Sequence, residues 1–301
     1  MKIGFGAPCS GSWATPANMV RIAERAEQLG YHSLWTFQRL LFPAEGSLGE
    51  MYRSVHDPLI TLAYLAGRTS TIRLGVAVIN MSFISPVILA KQFASLDVVS
   101  GGRLDAGLGI GWNDAEFIAT GATKERAGKR SDEYIQLLRK LWTEEVIEHE
   151  GEFYRVPASS FAPKPAQTPH PPILIGAKSP PALRRAGRLA DGWVASSQSD
   201  LRVLGESAAI VKDAAAKAGR DPDSLRLICR GSTRVRPPGD AERRPLSGSF
   251  DEIRADIAMI AEQGMTELFL DLNFDPEIAS PDADAAKSMD LAEQLLEEFC
   301  P

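Results

Sequence analysis

Ile173-Leu174-Ile175-Gly176-Ala177-Lys178-Ser179-Pro180-Pro181 reads as a short apolar strand, a turn of small residues and the opening of a helix. Serine is a good capping residue, and proline suits the first helical turn, where the backbone N–H has no intrahelical partner. One strand–turn–helix unit is not a fold. The fold follows from how often the unit recurs on either side of it.

It recurs eight times. Upstream, the strand Lys2–Pro8 leads to Thr15-Pro16, which opens a helix with Met19, Ile22, Ala23, Ala26 and Leu29 on one face and Gly30 at its end. Ser33–Phe37 is the second strand, and a long connection brings the chain to Asp57-Pro58, another cap and first-turn pair. Ile72–Ile79 is the third; its helix carries Leu89, Phe93, Leu96 and Val99 before the turn Ser100-Gly101-Gly102. Leu104–Ile110 is the fourth. Downstream of Ile173–Ile175 come Trp193–Ala195, Leu225–Ser232 and Glu267–Leu272, with helices centred on Arg184, Val211, Ile257 and Leu291. Ser249-Phe250-Asp251-Glu252 is a capping box.

This alternation predicts an α/β fold of the (β/α)8 TIM-barrel type, one domain over residues 1–301. An open doubly wound sheet is the competing architecture, but no GxGxxG turn follows the first strand. Residues 112–172 form an excursion, expected at the C-terminal mouth of the barrel: a helix with Ile135, Leu138 and Leu141, a hairpin around Glu150-Gly151, and a proline-rich loop.

Composition narrows the function. The chain of 301 residues is 44% hydrophobic and 24% charged, with a formal net charge of −6. It has no basic stripe for nucleic acid and no apolar run approaching the ~18 residues of a membrane span. Cys9, Cys229 and Cys300 are far apart and odd in number, which argues against a disulfide framework or a paired metal site. The N-terminal segment reads as a strand and not as a signal peptide, and a reducing cytoplasm is the expected location.

Functional residues of a barrel sit at the C-terminal ends of its strands. Here these are Cys9 and Ser10, Gln38 and Arg39, Asn80 and Met81, Gly111 to Asn113, Gly176 to Ser179, Ser196 and Ser197, Arg230 and Arg234, and Asp271 and Asn273. The four histidines, His32, His56, His149 and His170, never pair at helical spacing, and no GxSxG elbow occurs, so neither a metal centre nor a serine triad is expected. The remaining pattern suits a site that holds a cofactor and lets it do the chemistry. A phosphate fits the N–H groups of Gly176–Ser179 with a helix dipole behind them; a plain capped turn is the competing reading. In Leu108-Gly109-Ile110-Gly111-Trp112, alternate glycines leave room either for a flat ring or for close packing inside the barrel.

Ser33-Leu34-Trp35 with Arg39-Leu40, Ile72-Arg73-Leu74-Gly75, Leu89-Ala90-Lys91-Gln92, Asp97 to Arg103, Gly109-Ile110-Gly111-Trp112, His170 to Ile173 and Asp191-Gly192-Trp193 together resemble the luciferase-like monooxygenase superfamily, in particular its branch dependent on coenzyme F420. The resemblance spans Met1 to about Leu272. It implies an oxidoreductase that moves hydride between a deazaflavin and a small organic molecule. An FMN-dependent monooxygenase fed by a partner reductase, or a non-catalytic flavin-binding protein, are the alternatives. It places the phosphate near Gly176, Ala177, Lys178 and Ser179, and ring contacts at Gln38, Val78, Asn80, Gly111 and Trp112. It further implies a non-proline cis peptide nearest Ala77-Val78 and a homodimer; charge and the lack of a long apolar run argue against a nucleic-acid or membrane partner. The substrate pocket would be built from loops around residues 9–14, 40–56 and 112–125. One departure stands out. Deazaflavin members commonly end the second strand with an acidic residue followed by His or Arg, whereas this chain has Gln38-Arg39. Glutamine cannot act as a general acid.

Overall fold

A computed structural model describes residues 1–45 and 48–301; residues 46 and 47, within the 40–56 loop, lie outside the described residues. The eight expected strands are present: β1 (Lys2–Gly6), β2 (Ser33–Thr36), β3 (Arg73–Val76, resumed at Ile79–Asn80), β4 (Leu104–Gly109), β5 (Ile173–Ala177), β6 (Gly192–Ala195), β7 (Arg226–Ser232) and β8 (Glu267–Asp271). All pairings among them are parallel. β8 pairs with β1 through Lys2↔Glu267 to Phe5↔Leu270, and β3 with β4 through Leu74↔Leu104 and Ile79↔Leu108, so the sheet closes on itself. The fold is a (β/α)8 barrel.

The helices are α1 (Pro16–Gln28), α2 (Pro58–Ala66), α3 (Pro86–Val99), α4 (Asp114–Ala119), α5 (Ala127–Thr143), α6 (Pro180–Leu189), α7 (Leu204–Lys217), α8 (Phe250–Glu262), α9 (Pro276–Ala279) and α10 (Ala285–Glu298). Local chemistry sets their starts. Thr15 accepts from the Asn18 N–H, Asp57 from those of Leu59 and Ile60, and both halves of the Ser249/Glu252 capping box form. Between β4 and β5 lie α4, α5 and an antiparallel hairpin (Val146–Glu150 with Arg155–Ser160).

Two expectations need correction. Val99 is exposed, although Leu89, Phe93 and Leu96 on the same helix are buried. At about 100° per residue the inward direction falls next on Ser100, which is buried. The third strand is also not continuous. It breaks at a cis Ala77–Val78 peptide, with Val76 on one side and Ile79 on the other.

The barrel interior is layered. At its N-terminal end the fully buried Asp105 accepts from Arg226 at 2.6 and 2.9 Å and from Arg73, and Arg226 also donates to Glu267 at 2.6 and 2.7 Å. Above it Trp35 stacks on Phe269 with ring centroids 4.8 Å apart, packed with Leu174, Val194 and Ile228. Gly75 is required there, because a Cβ on it would lie 2.5 Å from the Trp35 ring. This floor seals the barrel below and leaves the strand ends open above.

Candidate functional site

The C-terminal ends of the strands surround a cleft of about 450 Å³. Gln38, Val78, Asn80, Gly111, Trp112, Gly176, Ala177, Lys178 and Ser179 all line it, and so do Arg39, Ser196, Ser197 and Arg230. The structure therefore brings the nine residues singled out from sequence to one place. Cys9, Ser10, Asp271 and Asn273 instead form a buried network behind the cleft: Asn273 Oδ1 accepts from the Cys9 N–H at 3.1 Å, and its amide donates to the Ala7 carbonyl and to Asp271, each at 2.9 Å. Burial, with Asp271 alongside, pushes the Cys9 thiol up and keeps it inert.

Val78 forms the floor. A Cβ on Gly109 would run into its Cγ2, and one on Gly176 would lie 2.9 Å from its Cγ1. The glycines of the fourth strand thus make room for Val78 and, at Gly107, for the Val76 carbonyl. Of the two readings of this strand, close packing explains Gly107 and Gly109. Gly111 is different: its φ of +91° is a left-handed conformation that favours glycine, and a Cβ would meet the Phe83 ring at 2.8 Å.

At the fifth strand end the helix does not supply all the donors expected of it. Pro180 and Pro181 occupy the first two positions of α6, so two N–H groups of the first turn are missing. The N–H groups of Lys178 and Ser179 remain, with no hydrogen-bond acceptor among the described residues, and the Ser179 side chain makes no capping bond. Lys178 is exposed and has no ion-pair partner among the described residues. Lys178 and Ser179 both line the cleft.

Gln38 accepts the Asn80 N–H on Oε1 at 2.9 Å, which leaves its NH2 as the group available to a ligand. Arg39 lines the cleft beside Trp112 with its side chain 6% exposed, 3.0 Å from Glu116 Oε1, and with the guanidinium carbon 4.8 Å from the Tyr52 ring and 4.6 Å from the Trp112 ring. Glu116 is buried and also accepts the N–H groups of Leu40 and Leu41, which ties the second strand end to α4. Trp112 itself is 55% exposed and walls the mouth.

Three wall residues are not singled out individually by the sequence: Phe37, Phe274 and Tyr52, the last within the 40–56 loop expected at the substrate pocket. Tyr52 comes from the long connection after β2, whose path carries no periodic signal. Burial raises its phenol above the usual range and Ser197 contacts its hydroxyl, so it stays protonated at neutral pH. Arg230 is held from behind by Asp271 at 2.9 Å and stacks 4.2 Å from Phe274. Among the described residues no group of three or more His, Cys, Asp or Glu side chains could hold a metal ion, and no helix is long and apolar enough to cross a membrane. Cys9 and Cys229 are buried free thiols, and Cys300 is an exposed one.

A family model described as luciferase-like monooxygenase matches residues 4–297. The F420-dependent hydroxymycolic acid dehydrogenase of Mycobacterium tuberculosis is 33% identical over 228 residues, covering 74% of this chain and 60% of that protein. The oxygenase component of the flavin-dependent trigonelline monooxygenase of Acinetobacter baylyi is 32% identical over 164 residues, covering 54% of this chain and 43% of its own length. The crystal structure of monooxygenase RslO1 from Streptomyces bottropensis superposes with a TM-score of 0.82 at 26% identity, over 99% of this chain and 98% of that one. The barrel, its cleft and these likenesses agree: the chain belongs to the luciferase-like monooxygenase family and is an oxidoreductase of that family.

Proposed function

We propose that this protein is an F420-dependent oxidoreductase that transfers hydride between the deazaflavin and a small organic molecule. The observation that carries the reading is the charge of the cleft. In a chain of net charge −6, Arg39 and Arg230 of the lining are paired with Glu116 and Asp271, which leaves Lys178, without an ion-pair partner among the described residues, as the positive group that favours an anionic cofactor. The unused N–H groups of Lys178 and Ser179 and the Lys178 ammonium would hold a phosphate.

A bound deazaflavin would supply the carbon that gives or takes hydride. The rest is the work of this chain. Val78 and Gly111 would bound the ring, Trp112 would cover it towards the mouth, and Asn80 would sit at its edge. Gln38 would donate a hydrogen bond without giving up a proton, and Tyr52 is the neutral phenol on the cleft wall from which a proton could come. Positioning of donor and acceptor at about 3–3.5 Å is what such a pocket contributes.

The likeness to monooxygenases favours a second reading, an FMN-dependent oxygenase that receives reduced flavin. Titrating the purified protein with F420 and with FMN, then following oxygen uptake with each reduced form, separates the two. F420 binding without oxygen uptake is expected. Tight FMN binding with no F420 binding would promote the oxygenase. The family resemblance extends the proposal to a homodimer, and α2 and α3, which pack on each other, leave Ile60, Tyr64, Ile88 and Val99 exposed for a second copy.

A further inference from the structure

Arg39 is a cation taken out of water with its hydrogen bonds unfinished. Its side chain is 6% exposed, yet Nε and Nη1 have no well-directed acceptor among the described residues. Glu116 compensates the charge, its Oε1 lying 3.0 Å from Nη1, but that oxygen also accepts from the Leu40 N–H at 2.7 Å and the Leu41 N–H at 3.2 Å and makes no directed hydrogen bond with the guanidinium. A buried donor without an acceptor is costly, and a guanidinium is matched best by a planar carboxylate.

Its surroundings define what the carboxylate would be attached to. The guanidinium lies in the corner between Tyr52 and Trp112, whose rings are 6.5 Å apart at 66°, and Phe274 extends the wall 5.7 Å from Tyr52. A flat ring packs against such walls edge-on or offset. Arg39 follows β2 and Lys178 follows β5, three strands apart round the barrel, so the two cations stand on different sides of the cleft.

We propose that the Arg39 end of the cleft is the substrate subsite and that it selects a flat aromatic carboxylate. This rests on the cofactor reading only for the assignment of the Lys178 end to the other ligand.

Benzoate tests it against benzamide, which has the same shape without the charge. In calorimetric titrations of the full chain, benzoate is expected to bind at least tenfold more tightly than benzamide. Arg39→Met should bring the two together. Glu116→Gln should tighten benzoate severalfold, because the glutamine carbonyl still accepts from Leu40 and Leu41 while the competing charge is gone; a purely structural Arg39 would show no such gain. Equal binding of benzoate and benzamide, no binding of either, or a preference that survives Arg39→Met would overturn the proposal. If Arg39→Met does not fold, Glu116→Gln decides: unchanged or weaker benzoate binding overturns it. The titrations are repeated with the protein saturated with FMN and with F420. Failure of both cofactors to bind would remove the cofactor reading and leave the benzoate result intact. Loss of the preference on Lys178→Glu, with its retention in Arg39→Met, would place the anion at the turn and refute the subsite.

Discussion

Arg230 reaches across the barrel mouth to Ala77, donating from Nη1 to its carbonyl oxygen at 2.8 Å at the point where the third strand breaks. The same guanidinium is held by Asp271 at 2.9 Å, and both side chains are at least nine-tenths buried. Removing one partner strands a buried charge, at a cost of about 3–5 kcal/mol. Arg230→Leu is therefore expected to lower the urea midpoint by a corresponding amount. A loss no larger than that of a surface substitution would show that the pair is not what holds the third strand end.

Asp105 makes low-pH stability predictable in sign. Burial alone would raise its carboxyl, but the guanidiniums of Arg226 and Arg73 outweigh burial and hold it below the ordinary carboxylate range. A folded value below the unfolded one, about 3.9, means that the stabilisation is present above that pH. It is lost as pH falls through the folded value. Unfolding curves of wild type and Asp105→Asn should differ most at neutral pH and converge in acid; a constant difference down to acid pH would contradict the network.

His32 adds a second window with the same sign. Burial is the largest influence and lowers its imidazole, with Glu267 opposing and Lys2 and Arg226 reinforcing. The unfolded state then binds the proton first, so stability starts to fall as pH drops below about 6.5. His32→Gln should flatten the stability profile between neutral pH and the carboxylate range. An unchanged slope there would assign it to other groups.

The phosphate assignment is best tested at an exposed position. Ala177 is buried, so Ala177→Asp would disturb the fold along with any binding. Lys178→Glu changes only a solvent-facing charge. F420, with its glutamate tail, should bind more tightly than FMN at low salt and weaken as salt rises, over a Debye length of about 10 Å at 0.1 M. Lys178→Glu should weaken F420 sharply and flatten the salt dependence. Fluorescence titrations at several salt concentrations would read both.

Dimer formation through α2 and α3 predicts that Ile60→Glu, at a side chain 73% exposed in one chain, leaves the fold intact and shifts sedimentation to the monomer. A monomeric wild type at all concentrations would end the homodimer proposal.

The order of strands and helices was legible because each unit announces itself locally. Thr15, Asp57 and Ser249 cap helices whose apolar spacing is visible within a dozen residues, and Ile173 to Pro181 shows strand, turn and helix in one line. Positions at strand ends followed from the barrel, which is why Gln38, Asn80, Trp112 and Gly176 to Ser179 meet in one cleft. What that sequence could not supply was partnership across the fold. Arg39 was legible as a strand-end residue, but its partner Glu116, 77 residues away on α4 (116 − 39), was not. The glycines of the fourth strand admitted a flat ring or close packing, and only the fold shows the Val78 side chain filling the space beside Gly109. Tyr52 fell within the 40–56 loop expected at the substrate pocket, but its place on the wall depends on the path of that loop and not on any local period. Caps and periodicity act within a few residues and are written in order along the chain. Ion pairs, stacked rings and filled clefts depend on distances that only closure of the barrel fixes.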